Sequence, residues 1–423
     1  MLNVRLECAA GYLLMLIEKI NLNNLDFLIK GIEPVPIVED FFTYFSEFNL
    51  ERVLIVTDED IDTDIRVLNQ IIALQRATEN ITLLKVNPDN SYTDNQKKYI
   101  LKKLYFKSLI NLLYFPWFLI LVIIHNPFLA FKTRAKQGIY NDHSYFLSDK
   151  IDTSNYTCVI CNNLISASSI DSHNGVDYIY DIHELEVFRN RNKASIQRSF
   201  YVYLKEMEEL KKKKNIITIS KHISNILSNM YYYKLNNISC IYNRNFNNTE
   251  VLFNEKFNVN KHLLIYIGSI SLDRGLEDIV RLSFEYDILI IACNYREEAI
   301  VYLEENSNLC RLKIFKGMDY QAILLESIEK YQHPYFLILI NPTHPSYRYA
   351  LPNKFFQAQA VGCPIIAYDK TYLADIIKIF GCGLVFPNTI NTDFLNSIDE
   401  IQYARMKQSM KIKVAKAIEN KKL

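Results

Sequence analysis

From Arg52 onward, apolar and polar positions fall into alternating blocks. Val53, Leu54, Ile55 and Val56 form one continuous, largely β-branched run, the pattern of a strand buried on both faces of a parallel sheet. Ile65, Leu68 and Ile72 then recur at helical spacing, with Asp64 placed to cap that helix. Residues 81–86, 156–161 and 177–180 read as further strands. The same grammar returns later. Strands are expected over 263–267, 288–292, 312–315, 336–340 and 365–367, with helices between them, for example over 276–284 and 321–331. Strands alternating with helices predict βαβ units. The expected fold is α/β: two Rossmann-like, doubly wound parallel-sheet domains facing a cleft, with ligand at the carboxyl ends of the strands.

Three stretches interrupt this pattern. Residues 1–50 form an N-terminal extension that is hard to place, because Pro34 and Pro36 break any long helix there. The Asn-rich stretch 242–261 lacks a sustained apolar period and reads as a connection. The expected domains are therefore 51–245 and 246–400, followed by a basic C-terminal helix over 401–423. Third, residues 112–124 carry no charged or amide side chain and include Pro116 and Trp117. That run is shorter than the roughly 20 apolar residues of a membrane span. Lys97, Lys98, Lys102, Lys103 and Lys107, interleaved with aromatic and aliphatic residues, precede it. Two readings stay open for 97–124: an interfacial segment on an anionic membrane surface, or a core helix with a solvated face.

Composition narrows the class. The chain has 423 residues, 49% hydrophobic and 22% charged, so global disorder is not expected. Its formal net charge of +1 argues against a nucleic-acid partner. Eight cysteines are scattered without a compact framework, and Cys158 and Cys161 lack the second pair of ligands a zinc site needs. Buried reduced thiols in the cytoplasm are the expectation. The first twenty residues make no convincing signal peptide. Asp58, Glu59, Asp60, Asp62 and Asp64 could bind a divalent ion, but no EF-hand spacing completes them, and capping of the first helix accounts for the stretch more simply. Only ten residues are glycine, yet six of these lie at or between Gly268 and Gly383, where tight turns or close backbone approach would need them.

The chemistry concentrates in that region. A strand leads into Gly268 and Ser269, and Asp273, Arg274 and Gly275 open a helix. Arg274 and the free N–H groups of a helix start suit a diphosphate. Leu351, Pro352, Asn353 and Lys354 then form a loop and a second helix start, followed by Gln357, a stop at Gly362 and a buried strand. Two phosphate-suited helix starts in one Rossmann-like domain point to a nucleotide diphosphate.

With these motifs the sequence resembles the two-Rossmann (GT-B) glycosyltransferases, in particular family 4-like enzymes of the surface polysaccharide and lipopolysaccharide type. The resemblance is carried by 263–387. It includes the PNK segment at 352–354, the run from Ala360 to Ala367, and Phe380, Gly381, Cys382, Gly383, Leu384, Val385, Phe386 and Pro387. It extends more loosely to Asp64, Ile65 and Arg66, to Tyr180, Asp181, Ile182, His183, Glu184 and Leu185, and to a strand over 216–220 before Ile223. It implies that the first domain takes the acceptor and the second a nucleotide-sugar donor. Sugar would pass to a glycan or lipid-linked glycan with retention of anomeric configuration and no metal cofactor.

By the same resemblance, Gly268, Ser269, Arg274, Pro352, Asn353, Lys354 and Gln357 contact the donor, with Arg274 and Lys354 on its diphosphate. His183 lies near the donor sugar, where the alternative is a strand-end histidine bonded to its neighbours. Asp181 and Glu184 orient His183 or touch the acceptor. The family's pair of glutamates falls at Tyr349 and Gln357, and the basic residue usually beside the glycine falls at Ser269. Those departures keep two alternatives in view: a non-catalytic or weakened nucleotide-sugar-binding subunit, and a nucleotide-sugar epimerase of the same fold. The expected location is cytoplasmic, peripheral at the inner face of the membrane if 97–124 binds lipid.

Overall fold

The computed structural model describes residues 3–4, 15–20, 35–58, 64–88, 114–125, 150–188, 196–212, 215–231, 237–244, 262–270, 274–295, 297–316, 320–340, 342, 345–387, 389–420 and 423. The chain divides into two compact units, Met1–Tyr242 and Asn243–Leu423.

The first unit is built on one sheet. In chain order its strands are β1 (Asn3–Val4), β2 (Met15–Ile20), β3 (Val53–Thr57), β4 (Ile81–Pro88), β5 (Cys158–Asn162), β6 (Asp177–Ile182), β7 (Asn215–Thr218) and β8 (Ile238–Cys240). They lie side by side as β1-β2-β4-β3-β5-β6-β7-β8. The six strands from β4 to β8 run parallel, while β1 and β2 add an antiparallel edge. Every residue of β3 and β5 is buried, as their unbroken apolar runs require of central parallel strands. The chain proceeds outward from β3 to β4 and then returns past β3 to β5, so the strand order reverses between β3 and β5. About seventy residues, 89–157, separate the end of β4 from the start of β5.

Pro36 starts a helix, Pro36–Phe45, instead of breaking one. At the first helical position proline's missing N–H is no loss and its fixed φ is already helical. Ile37, Val38, Phe41 and Phe45 are buried in the core shared with β3 and with Val67, Ile71 and Leu74 of helix Ile65–Gln75. Each phenylalanine contributes about 1.5–3 kcal/mol by burial. Helix Phe115–His125 buries Phe118, Leu121 and Val122. Phe118 packs against Phe200 and Tyr203 of helix Ile196–Lys212 at 5.1 and 5.4 Å between ring centroids. Its other face exposes Ile120, Ile123 and Ile124. The basic segment 97–107 and most of the connection, 245–261, lie outside the described residues.

The second unit carries β9 (His262–Ile270), β10 (Asp287–Tyr295), β11 (Leu312–Lys316), β12 (His333–Ile338), β13 (Ile365–Tyr368) and β14 (Gly383–Phe386). The order is β11-β10-β9-β12-β13-β14, all parallel, and it reverses between β9 and β12. β12 begins three residues before the start its apolar run suggested. It does so across Pro334, which has no N–H to give, while the Pro334 carbonyl accepts from Tyr403 Oη at 2.8 Å and Cys363 Sγ at 2.9 Å. The basic C-terminal segment is a helix, Glu400–Gln408, that passes through a π-helical turn, Ser409–Val414, into Ala415–Glu419. Met410 and Val414 anchor it to the unit's core.

Candidate functional site

Each unit gathers its polar side chains where its strand order reverses, at the carboxyl ends of the central strands. This is the place where open α/β sheets leave a crevice for ligand.

In the second unit that place lies between β9 and β12. Gly268, near the end of β9, has φ +133°. A Cβ on it would stand 2.7 Å from Lys354 Cε and 2.8 Å from Lys354 Nζ. Glycine is therefore required twice, for the backbone conformation and for the lysine that lies over it. Lys354 is the second residue of helix Asn353–Ala360. This helix has Pro352 as its N-cap, no side-chain cap and no acidic residue in its first turn, which leaves its first N–H groups and positive dipole end suited to an anion. Asn353 Oδ1 accepts from Asn243 Nδ2 at 2.9 Å.

The helix after Arg274, Leu276–Leu282, differs. Glu277 and Asp278 occupy its first turn, so its N-terminus is less suited to phosphate than that of Asn353–Ala360. Asp278 is tied to Arg281 at 2.6 Å and to Tyr368 Oη at 2.7 Å. Gly275 has φ +72°, and a Cβ there would stand 2.5 Å from Leu339 Cβ. Arg274 itself is half-buried. Its guanidinium carbon lies 5.6 Å from the ring centroid of Tyr347, and Nη2 donates to Tyr347 Oη at 3.4 Å. Tyr347 belongs to helix Pro345–Tyr349, which leads into the Pro352 loop.

Ser269 is half-buried, and its carbonyl accepts from Tyr266 Oη at 2.8 Å. Gln357 is buried and donates through Nε2 to Tyr320 Oη at 2.7 Å, while its Oε1 is buried without a hydrogen-bond partner. Tyr320 and Tyr347 carried no signal in the sequence reading; both come into place only through tertiary packing.

In the first unit the cluster stands at the ends of β3, β5 and β6. Asp181 is fully buried, and Arg66 grips it in bidentate fashion, Nε to Oδ2 and Nη2 to Oδ1, both at 2.8 Å. Gln70 Nε2 donates to Asp181 Oδ2 at 2.5 Å and exchanges hydrogen bonds with Asn162 at 3.0 and 3.1 Å. Arg66 Nη1 also donates to the Ile241 carbonyl at 3.0 Å. His183 Nε2 lies 3.2 Å from Asn162 Oδ1 and 3.4 Å from Asp181 Oδ2; Nδ1 lies 3.9 Å from Asp64 Oδ2.

Burial pushes the Asp181 carboxyl up, but Arg66 and His183 outweigh it and hold the group at about 2. Burial likewise disfavours a charged His183, yet Asp181, and Asp64 beyond it, raise its pKa above the ordinary value. Asp181 is thus fully buried beside His183, whereas Glu184 is exposed. Gln70 and Asn162 escaped the sequence reading, and Arg66 entered it only as part of a helix start, not as a site residue. The available signal was an Arg and a Gln four residues apart on the apolar face of an amphipathic helix, where a polar side chain needs a partner. Among the described residues, no group of three or more His, Cys, Asp or Glu side chains is arranged to hold a metal ion. Residues 59–63 of the acidic stretch lie outside the described residues.

No protein-family model matches the sequence, and no curated protein matches it. Solved structures do. The chain is similar to sucrose-phosphate synthase from Thermosynechococcus elongatus, with TM-score 0.51 and 12% identity, covering 85% of this chain and 93% of that one. A glycosyltransferase from Rickettsia africae aligns with TM-score 0.43 and 12% identity, over 89% of this chain and 98% of that one. An Anabaena protein, HepE, solved in complex with UDP, aligns with TM-score 0.42 and 9% identity, over 63% and 79%. With two Rossmann-like units, each reversing its strand order at a polar cluster, the chain has the glycosyltransferase-like, GT-B type of α/β fold.

Proposed function

We propose that the protein is a glycosyltransferase that moves a sugar from a nucleotide-diphosphate sugar to a glycan or lipid-linked glycan in surface polysaccharide synthesis, with retention at the anomeric carbon. The observation that carries this reading is the meeting of Gly268 and Lys354 at the strand-order reversal of the second unit. A glycine that lets the backbone come close, an ammonium group lying over it and a helix start without a side-chain cap together form a diphosphate cradle. The fold shared with a sucrose-phosphate synthase agrees with sugar chemistry.

In this reading the bond between the anomeric carbon and the phosphate oxygen breaks, and the nucleoside diphosphate departs with the electron pair. Lys354, Arg274 and the N–H groups at the start of helix Asn353–Ala360 stabilise that charge. The acceptor hydroxyl oxygen forms the new bond and passes its proton to the departing diphosphate oxygen, which has gained the electron pair. Gln357 Oε1, buried and without a hydrogen-bond partner, offers an acceptor to a ribose hydroxyl in place of the carboxylate found in the resembled family. The exposed apolar face of helix Phe115–His125, with the lysines that precede it in sequence, supports a peripheral place on an anionic, cytoplasmic membrane face. No helix among the described residues is long and apolar enough to cross a membrane.

The test is incubation of the purified full chain with a panel of nucleotide sugars and a membrane extract, read by product mass, beside calorimetry with nucleoside diphosphates. Transfer is expected, with Arg274→Ala slower by at least about tenfold, the effect of losing one charged contact to the diphosphate. Absence of both transfer and nucleotide binding would sink the proposal. An epimerised donor in the absence of acceptor would instead assign the epimerase reading.

A further inference from the structure

Carboxylate oxygens face both ring nitrogens of His183. On one side stand Asp181 Oδ2 and Asn162 Oδ1; on the other stands Asp64 Oδ2. The two carboxylates are held independently of the histidine. Asp181 is fixed by Arg66 and Gln70. Asp64 divides its oxygens: Oδ1 caps helix Ile65–Gln75 by accepting from Arg66 N at 3.0 Å and Val67 N at 3.3 Å, whereas Oδ2 is buried and accepts no hydrogen bond. A buried carboxylate oxygen without a donor is costly. The His183 nitrogen 3.9 Å away offsets that cost once it carries a proton.

Charge balance points the same way. The groups that face the ring are Asp181 from β6, Arg66 from helix Ile65–Gln75, Asp64 at that helix's cap, and the neutral Asn162 from β5. With a neutral imidazole this cluster holds two carboxylates and one guanidinium. With an imidazolium it is neutral overall. Burial and Arg66 oppose the added proton, and the two carboxylates favour it.

We propose that Asp64 is a positioning residue which, with Asp181, keeps His183 doubly protonated, so that the first unit presents a fixed positive charge at the carboxyl ends of β3, β5 and β6. The His183 side chain remains 15% exposed, so a ligand feels that charge directly. An imidazolium has no lone pair to accept a proton. His183 therefore acts as a cation and a hydrogen-bond donor, never as the base that removes a proton from an acceptor hydroxyl. This role rests on the transfer reading above; the protonation state itself does not.

The experiment is a pH titration of the full chain carrying ¹⁵N-labelled histidine, followed by two-bond ¹⁵N–¹H correlation, with His183 assigned by loss of its signals in His183→Gln. Both ring nitrogens should be protonated at pH 7, with a midpoint above the ordinary value of about 6.5. Asp64→Asn keeps a capping oxygen, so the helix start survives. It should lower the midpoint by about one pH unit. A neutral ring at pH 7 in the wild type, or a midpoint that Asp64→Asn does not move, overturns the proposal.

Enzyme kinetics supply the second readout. The alkaline fall of kcat/KM should follow the His183 midpoint and move to lower pH in Asp64→Asn, which a merely structural cap would not cause. An alkaline limb that stays in place overturns the functional half. A wild-type protein with neither transfer nor nucleotide binding refutes the transfer reading, while the titration still decides the protonation state.

Discussion

Gly268→Ala separates two effects that meet at one carbon. The added methyl would stand 2.7 Å from Lys354 Cε and 2.8 Å from Nζ, on a backbone at φ +133°. The backbone strain, about 1–3 kcal/mol, belongs to Gly268 alone and should appear in urea denaturation whatever residue occupies 354. The clash is with the far end of a flexible side chain, so it resolves by moving the ammonium group rather than the strand. If that ammonium holds a diphosphate, its contact is worth about 1.5–3 kcal/mol, or roughly ten- to a hundredfold in Kd. Lys354→Met removes the charge and keeps an unbranched stem. The three variants Gly268→Ala, Lys354→Met and the double form a cycle, read by calorimetry with a panel of nucleoside diphosphates. Each single change should weaken binding by about tenfold or more, and the double should bind within about threefold of Lys354→Met, a coupling of about 1 kcal/mol or more. Fully additive losses, or unchanged binding in Lys354→Met, would refute the reasoning.

Asp181→Asn leaves the Arg66 guanidinium buried against a neutral amide and should cost about 3–5 kcal/mol in urea denaturation at pH 7. The sign with pH follows from the lowered carboxyl, held at about 2: its stabilisation is complete above the unfolded value near 3.9 and is lost as pH falls through 2. Wild type should therefore lose about 2–3 kcal/mol between pH 5 and pH 2 that Asp181→Asn does not lose, and identical acid profiles would count against the pairing. In flotation with anionic liposomes the wild type should rise with the vesicles. Replacing Lys98, Lys102 and Lys103 by Glu, or Ile120 and Ile124 by Glu, should leave it at the bottom; unchanged flotation of both variants would remove the membrane role.

The strands were the most legible part of this sequence. A run such as Val53 to Val56, short and rich in β-branched residues, favours a fully buried parallel strand, and β3, β5, β9, β10 and β13 all follow from short apolar runs. Helix Pro36–Phe45 was hidden because proline is both a breaker and a starter, and only its neighbours in the core decide which. In the second unit the site residues were visible as two motifs, but their meeting was not. Gly268 and Lys354 are brought together by the reversal of strand order between β9 and β12, which no local pattern encodes. The first unit was less legible still. Asp181 and Arg66 are 115 positions apart, and a buried arginine looks like any other helical arginine until its partner is known.

The crossover between β4 and β5 has a consequence for how this chain tolerates change. It spans about seventy residues, 89–157, yet its two ends are anchored in strands that both pair with β3. Loop-closure entropy grows only with the logarithm of length, so each doubling costs about 0.6 kcal/mol. Against a βαβ crossover of about thirty residues, the whole excursion costs the sheet little more than that. Changes in the length of this segment should therefore leave the pairing of β3, β4 and β5 in place, provided that helix Phe115–His125 keeps Phe118 packed on Phe200 and Tyr203. Sequence change in the crossover outside that helix is thereby uncoupled from the strand order of the first unit.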